Sequence, residues 1–175
     1  WICAPNDARV AVMRAVLQGA KRRPKDLPLR GICLEKPLAR TLGEALEVAA
    51  IAEEIGAPTG YLEDMLWAPA LVRGKEVLWR RGAASSGRPY LARAAEEHAG
   101  PHSAWFWQPE VAGGGALLDM MCHSIEAARW LLTEPGAPRA SLTPVEVSAT
   151  AANLKWTQPH YAAQLAVRFP GKVDW

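Results

Sequence analysis

The sequence has few cysteines, no long apolar run and almost no net charge, and each shortage narrows what the chain can be. Cys3, Cys33 and Cys122 are the three cysteines among 175 residues. Their odd number and wide spacing leave no CxxC pair and no Cys/His zinc ladder. Each lies in an apolar stretch, so the expected state is a buried free thiol in a reducing compartment, which points to a cytoplasmic protein. No stretch reaches the roughly 20 apolar residues of a membrane helix, and no signal peptide is visible, so no membrane partner is expected. The 20 Lys+Arg against 18 Asp+Glu leave a net charge of +2, without the basic stripe of a nucleic-acid binder. The one basic cluster, KRRPKD at 21–26, reads as a solvated loop. A dinucleotide fingerprint is missing too, since no GxGxxG follows a strand. Disorder is excluded by a hydrophobic share of 50%, and the length fits one domain or pieces of two.

What is present reads first as α/β. Residues 1–4 (WICA) look like the end of a buried strand, followed by a Pro5-Asn6 turn in which Asn6 or Asp7 can cap a helix. Val10, Met13, Val16 and Leu17 give that helix an apolar face. Residues 29–34 (LRGICL) read as a second buried strand ending at Glu35-Lys36-Pro37. Thr41 and Glu44 form a capping box for a helix that Gly56 and Pro58 close, and a short strand at 59–63 follows. Strands alternating with helices imply a parallel sheet. Later the pattern changes. A helix is expected at 69–81, strands at 88–97, 145–154 and 161–169, and one helix over 117–132. Strands with one solvated face suit an open, largely antiparallel sheet.

Several segments can carry chemistry. Lys36 stands at the C-terminal end of a parallel strand, the edge where open α/β sheets bind ligands; a lysine there can be a general acid or an anchor for an oxygen, or simply exposed. Within the 117–132 helix, Leu118, Met121, Ile125, Ala128 and Leu132 form an apolar stripe. Asp119 and His123 lie off it as an i, i+4 pair, in which the carboxylate can orient the imidazole and raise its pKa. A solvated surface pair has the same spacing. No third ligand stands at a compelling spacing, so no metal site is expected. Gly113-Gly114-Gly115 lets backbone approach a ligand closely, or is a flexible turn. The loop His102-Ser103-Ala104-Trp105-Phe106-Trp107 joins an imidazole to three aromatics that can stack on a sugar or a nicotinamide, or fill a core. The run Tyr61-Leu62-Glu63-Asp64 at a strand end can supply polar substrate contacts, or is a solvated turn.

Taken in order, ICAPN (2–6), LEKPLAR (34–40), GYLED (60–64), GPHSAWFW (100–107) and GGGALLDMMCHSIEAARWLL (113–132) resemble the glucose–fructose oxidoreductase and inositol dehydrogenase family, Gfo/Idh/MocA. The resemblance implies a Rossmann domain for NAD or NADP and a second α/β domain with an open, largely antiparallel sheet. Residues 1–60 would be the C-terminal part of the first, without its glycine-rich half, and 61–175 the second, C-terminally incomplete. The resemblance makes Lys36 and His123 the proton-transfer and substrate-anchoring residues, with Asp119 binding substrate and orienting His123. Pro5, Asn6, Glu35 and Lys36 would line the cofactor, and Tyr61, His102 and Trp107 the substrate. The implied reaction is hydride transfer between nicotinamide and a hydroxyl-bearing carbon of a sugar or polyol, in a homo-oligomer paired through the open sheet face. Two other readings stay open: a redox-neutral NAD-dependent glycoside-cleaving enzyme, and a non-catalytic sugar-binding or regulatory protein. The chain departs from the family at Arg9, where members often carry His, and in the insert KRRPKDLP. It is read as an internal fragment, inactive alone.

Overall fold

The computed structural model describes residues 1–97, 100–101 and 103–150. Its centre is a small parallel sheet. Strand β1 (Ile32–Glu35) pairs in parallel with β2 (Thr59–Leu62), from Ile32 opposite Thr59 to Glu35 opposite Leu62. Along its other edge β1 takes Ile2, whose amide donates to the Cys33 carbonyl at 2.8 Å and whose carbonyl accepts from Glu35 at 3.0 Å. Parallel neighbours cannot be joined by a hairpin, so helices cross over between them: α1 (Arg9–Lys21) before β1 and α2 (Leu42–Ile55) after it. Met13, Val48 and Ile51 from these helices bury against Ile2, Ile32 and Leu34. The sequence expectation of alternating strands and helices holds here, with strands shorter than expected.

Local chemistry sets the helix ends. The Thr41 side chain accepts from the Glu44 amide at 3.2 Å, and Gly56 closes α2 at φ 70°. The capping box is only half formed, because the Glu44 carboxylate turns to the Arg40 amide at 3.1 Å rather than to Thr41. Thr41→Ala should cost about 1 kcal/mol, read as a lower urea midpoint with an unchanged slope; no change in midpoint would deny the cap. At α1 the expected Asn6 or Asp7 cap does not form; Asn6–Ala8 is a 3-10 turn that leads into the helix.

Beyond β2 come a 3-10 turn at Asp64–Trp67 and helix α3 (Pro69–Val77), which continues as a π turn over Leu78–Gly82 into α4 (Ala83–Ser86). The helix expected at 69–81 is therefore longer. No strand forms at 88–97 or at 145–150; the rest of the expected antiparallel strands, 151–154 and 161–169, lies outside the described residues. Short helices α5 (Pro109–Ala112) and α6 (Gly115–Asp119) lead to α7 (Met121–Leu132). The single helix expected over 117–132 is thus two, broken at Met120 (φ −110°, ψ −41°). The break rotates the faces: Ile125, expected in the apolar stripe, is 52% exposed, whereas His123 and Ser124 are buried.

Candidate active site

The sheet delivers its chemistry to one edge. β1, β2 and the segment at Ile2 run the same way, so Pro5-Asn6, Lys36 and Glu63 follow their C-terminal ends side by side, the edge where open α/β sheets bind ligands. Across from it lie α6 and the first turn of α7. Glycine joins the two sides. Gly113 (φ 94°) packs on Arg40 so closely that a Cβ there would meet Arg40 Cα at 2.6 Å. The close approach expected of this glycine run is therefore to backbone and not to a ligand. Gly113→Ala would combine a forbidden φ with that overlap and should destabilise by about 3 kcal/mol. A melting temperature equal to the wild type would contradict the packing.

Lys36 and Asp119 meet in this arrangement. Lys36 Nζ lies 3.0 Å from Asp119 Oδ1 and donates to the Asp119 carbonyl at 2.7 Å, with both side chains largely buried. Asp119 therefore does not orient His123, as the i, i+4 spacing led one to expect, because the break at Met120 ends the helix on which that spacing depends. The partner of His123 is Glu63: Nδ1 and Oε1 are 2.5 Å apart, and both residues are buried. Sequence spacing offers Glu63 only as part of a polar strand end and does not pair it with His123, 60 positions away.

Beside Lys36 opens a cavity of about 300 Å³ lined by Pro5, Asn6, Glu35 and Asp119, with Trp105 and Phe106 at one wall. The two aromatic rings stack with centroids 3.7 Å apart. A larger cleft of about 400 Å³ lies away from the sheet edge, against Lys75 and Trp130, and contains none of the expected site residues. Asn6 lines the cavity but its amide nitrogen is committed to the Ala112 carbonyl at 2.8 Å, so its side chain ties α5 to the Pro5 turn. The Glu35 carboxylate accepts from the Lys36 amide at 2.9 Å. Trp107, expected at the substrate, is buried and does not line the cavity; its neighbours in the loop do. His102 lies outside the described residues. Tyr61 is half-exposed, and burial followed by the charges of Cys122 and Glu63 pushes its phenol up to about 12, so it is neutral at any physiological pH. The cysteines are free, but the buried state expected of them is not found: Cys3 is exposed, and Cys33 and Cys122 are half-buried.

Beneath the lysine turn, the buried Arg9 guanidinium reaches four carbonyls. It donates to Glu35 and Pro37, to Lys36 at 3.0 Å and to Ala4 at 3.2 Å. Burial lowers its pKa, and the nearby Glu35 opposes that. The residue read as a departure from the family is thus the one that grips the turn.

Residues 83–174 match the family model described as the GFO/IDH/MocA C-terminal domain. The chain is 31% identical over 112 residues to a D-xylose dehydrogenase of Paenarthrobacter nicotinovorans, a stretch that covers 61% of this chain and 29% of that relative. Among solved structures it is similar to GenD2 from gentamicin A biosynthesis in complex with NAD, with a TM-score of 0.55, 28% identity and coverage of 74% of this chain and 34% of the other. A levoglucosan dehydrogenase in complex with NADH and levoglucosan gives a TM-score of 0.54 at 26% identity, covering 75% and 34%. The chain thus spans about a third of the length of the proteins it matches.

Proposed function

Because the chain belongs to the GFO/IDH/MocA family, we propose that the full-length protein is an NAD(P)-dependent oxidoreductase acting on a hydroxyl-bearing carbon of a sugar or polyol. The observation that carries this reading is the Lys36–Asp119 pair at the mouth of the cavity beside Pro5 and Glu35. A cavity of about 300 Å³ is at the lower end of small-molecule sites and suits the nicotinamide end of the cofactor, with Pro5, Glu35 and the Trp105–Phe106 pair around it. When bound, the nicotinamide supplies the hydride acceptor or donor. Residues 1–60 would complete the cofactor domain, and 61–175 would belong to the substrate domain, whose open antiparallel sheet would pair copies of the chain. The similarity to a D-xylose dehydrogenase and a levoglucosan dehydrogenase supports a sugar here.

Lys36 holds the proton in this scheme. As the substrate carbon gives up its hydride, Lys36 Nζ takes the hydroxyl proton, and Asp119 holds the ammonium. In the reverse direction the ammonium returns that proton to the carbonyl oxygen. A positioned group of this kind contributes about 10²–10⁴-fold. His123, fixed by Glu63, anchors a second substrate oxygen.

The test is an assay of the full-length protein with NAD⁺ or NADP⁺ and a panel of sugars and polyols, following nicotinamide absorbance and product mass together. One reduced nicotinamide per molecule of substrate, two hydrogens lighter, is the expected result. Cleaved product without net nicotinamide reduction would replace hydride transfer with the redox-neutral path. Tight sugar binding without any product would replace it with a binding protein.

A further inference from the structure

Where β2 ends and α7 begins, three metal-ligating side chains of different kinds converge. Glu63 leaves the C-terminal end of β2, and Cys122 and His123 stand in the first turn of α7. One ligand atom from each lies within 4.8 Å of the other two. Four-coordinate zinc with bonds of about 2.0–2.3 Å places neighbouring donors roughly 3.3–3.8 Å apart, so small side-chain shifts that open the 2.5 Å Glu63–His123 contact bring the three to bonding distance. Cys122 and His123 are held on α7 and Glu63 directly follows β2, which limits the movement needed.

The hydrogen bonding at this point is incomplete in a way that favours a cation. Glu63 Oε1 meets His123, but Glu63 Oε2 is buried and accepts no hydrogen bond, although the side chain is only 3% exposed. A buried carboxylate oxygen left bare is costly, and a metal ion satisfies it. Cys122 Sγ has only a weak bond to the Asp119 carbonyl at 3.3 Å, which a metal bond outweighs. Carboxylate and thiolate together carry the two negative charges that neutralise a divalent ion, so the loaded site is buried without net charge.

We propose that Glu63, Cys122 and His123 bind a borderline-soft divalent cation of the zinc class through three protein ligands, with a fourth position open to water or a substrate oxygen. One sulfur and one nitrogen among three donors disfavour magnesium and calcium, which take oxygen. The ion replaces the Glu63–His123 hydrogen bond. This site shares Glu63 and His123 with the proposed oxidoreductase site and goes beyond that reading.

Cobalt(II) is the probe, because its bond to a thiolate gives a near-ultraviolet charge-transfer band. Chelator-treated full-length protein titrated with Co²⁺ should take one equivalent per chain and develop that band. Zn²⁺ should displace the cobalt and equimolar Mg²⁺ should not. Cys122→Ala should abolish the band, Cys3→Ser should leave it intact, and Glu63→Gln should weaken Co²⁺ binding at least tenfold. Absence of the band, or its survival in Cys122→Ala, overturns the site; should Glu63→Gln not fold, Cys122→Ala decides alone. The readout does not depend on turnover. An inactive protein that shows the band keeps the metal site and loses the proposed activity, and an active protein without it does the reverse.

Discussion

Lys36→Ala in the full-length protein should lower kcat by at least about 100-fold, the lower end of what a positioned acid–base group contributes, while binding of the nicotinamide cofactor changes far less. The expectation rests on how Lys36 is held. Its ammonium meets one carboxylate oxygen and one carbonyl of the same residue, Asp119, in a largely buried place. A lysine so fixed loses little entropy on reaching a substrate oxygen, and its charge is little screened. Removing it also leaves Asp119 with an uncompensated charge, so lost activity must be separated from lost fold. Asp119→Asn provides the separation. If Asp119 acts through Lys36, the double variant is no slower than Lys36→Ala alone, because residues acting as a unit are non-additive. Rates measured well below each variant's melting temperature check this. A Lys36→Ala enzyme with near-normal kcat would remove Lys36 from the chemistry.

The parts of this site that could be read from sequence are those fixed by local pattern. Lys36 at a strand end followed from the apolar run before it, and Thr41, Glu44 and Gly56 announced α2 by their chemistry. Partnerships between segments could not be read in the same way. The Asp119–His123 pair was drawn on a continuous helix, and periodicity carries no sign of the break at Met120. Once that turn breaks, Asp119 falls to Lys36, 83 positions away, and His123 to Glu63. The Gly113-Gly114-Gly115 run shows both sides of this limit. Its composition gives away that backbone approaches something closely, but only the fold identifies the neighbour as Arg40. Trp105, Phe106 and Trp107 illustrate the same point, since adjacent aromatics divide between cavity wall and core according to a 3-10 turn at Ala104–Trp107.

Arg9 leads to the second large effect. A buried arginine needs partners, and here all the bonds of its guanidinium run to main-chain carbonyls, three of them in the consecutive residues Glu35, Lys36 and Pro37. The planar fork supplies several donors at fixed angles, so one side chain can hold a whole turn. Arg9→Lys keeps the charge and loses the fork. A single ammonium cannot reach carbonyls spread from Ala4 to Pro37, so at least one is left bare at a cost of roughly 1–3 kcal/mol. The Lys36 side chain starts from this turn, and a displacement of about 1 Å near the chemistry can cost about 10²-fold. The variant should therefore be less stable by that amount and, at temperatures where it is fully folded, slower in kcat by more than tenfold with a much smaller change in KM. A purely structural role would lower the melting temperature and leave kcat of the folded protein alone. That outcome would limit Arg9 to stability, whereas a fall in kcat that disappears in the Lys36→Ala background would identify the grip on the turn as what positions Lys36.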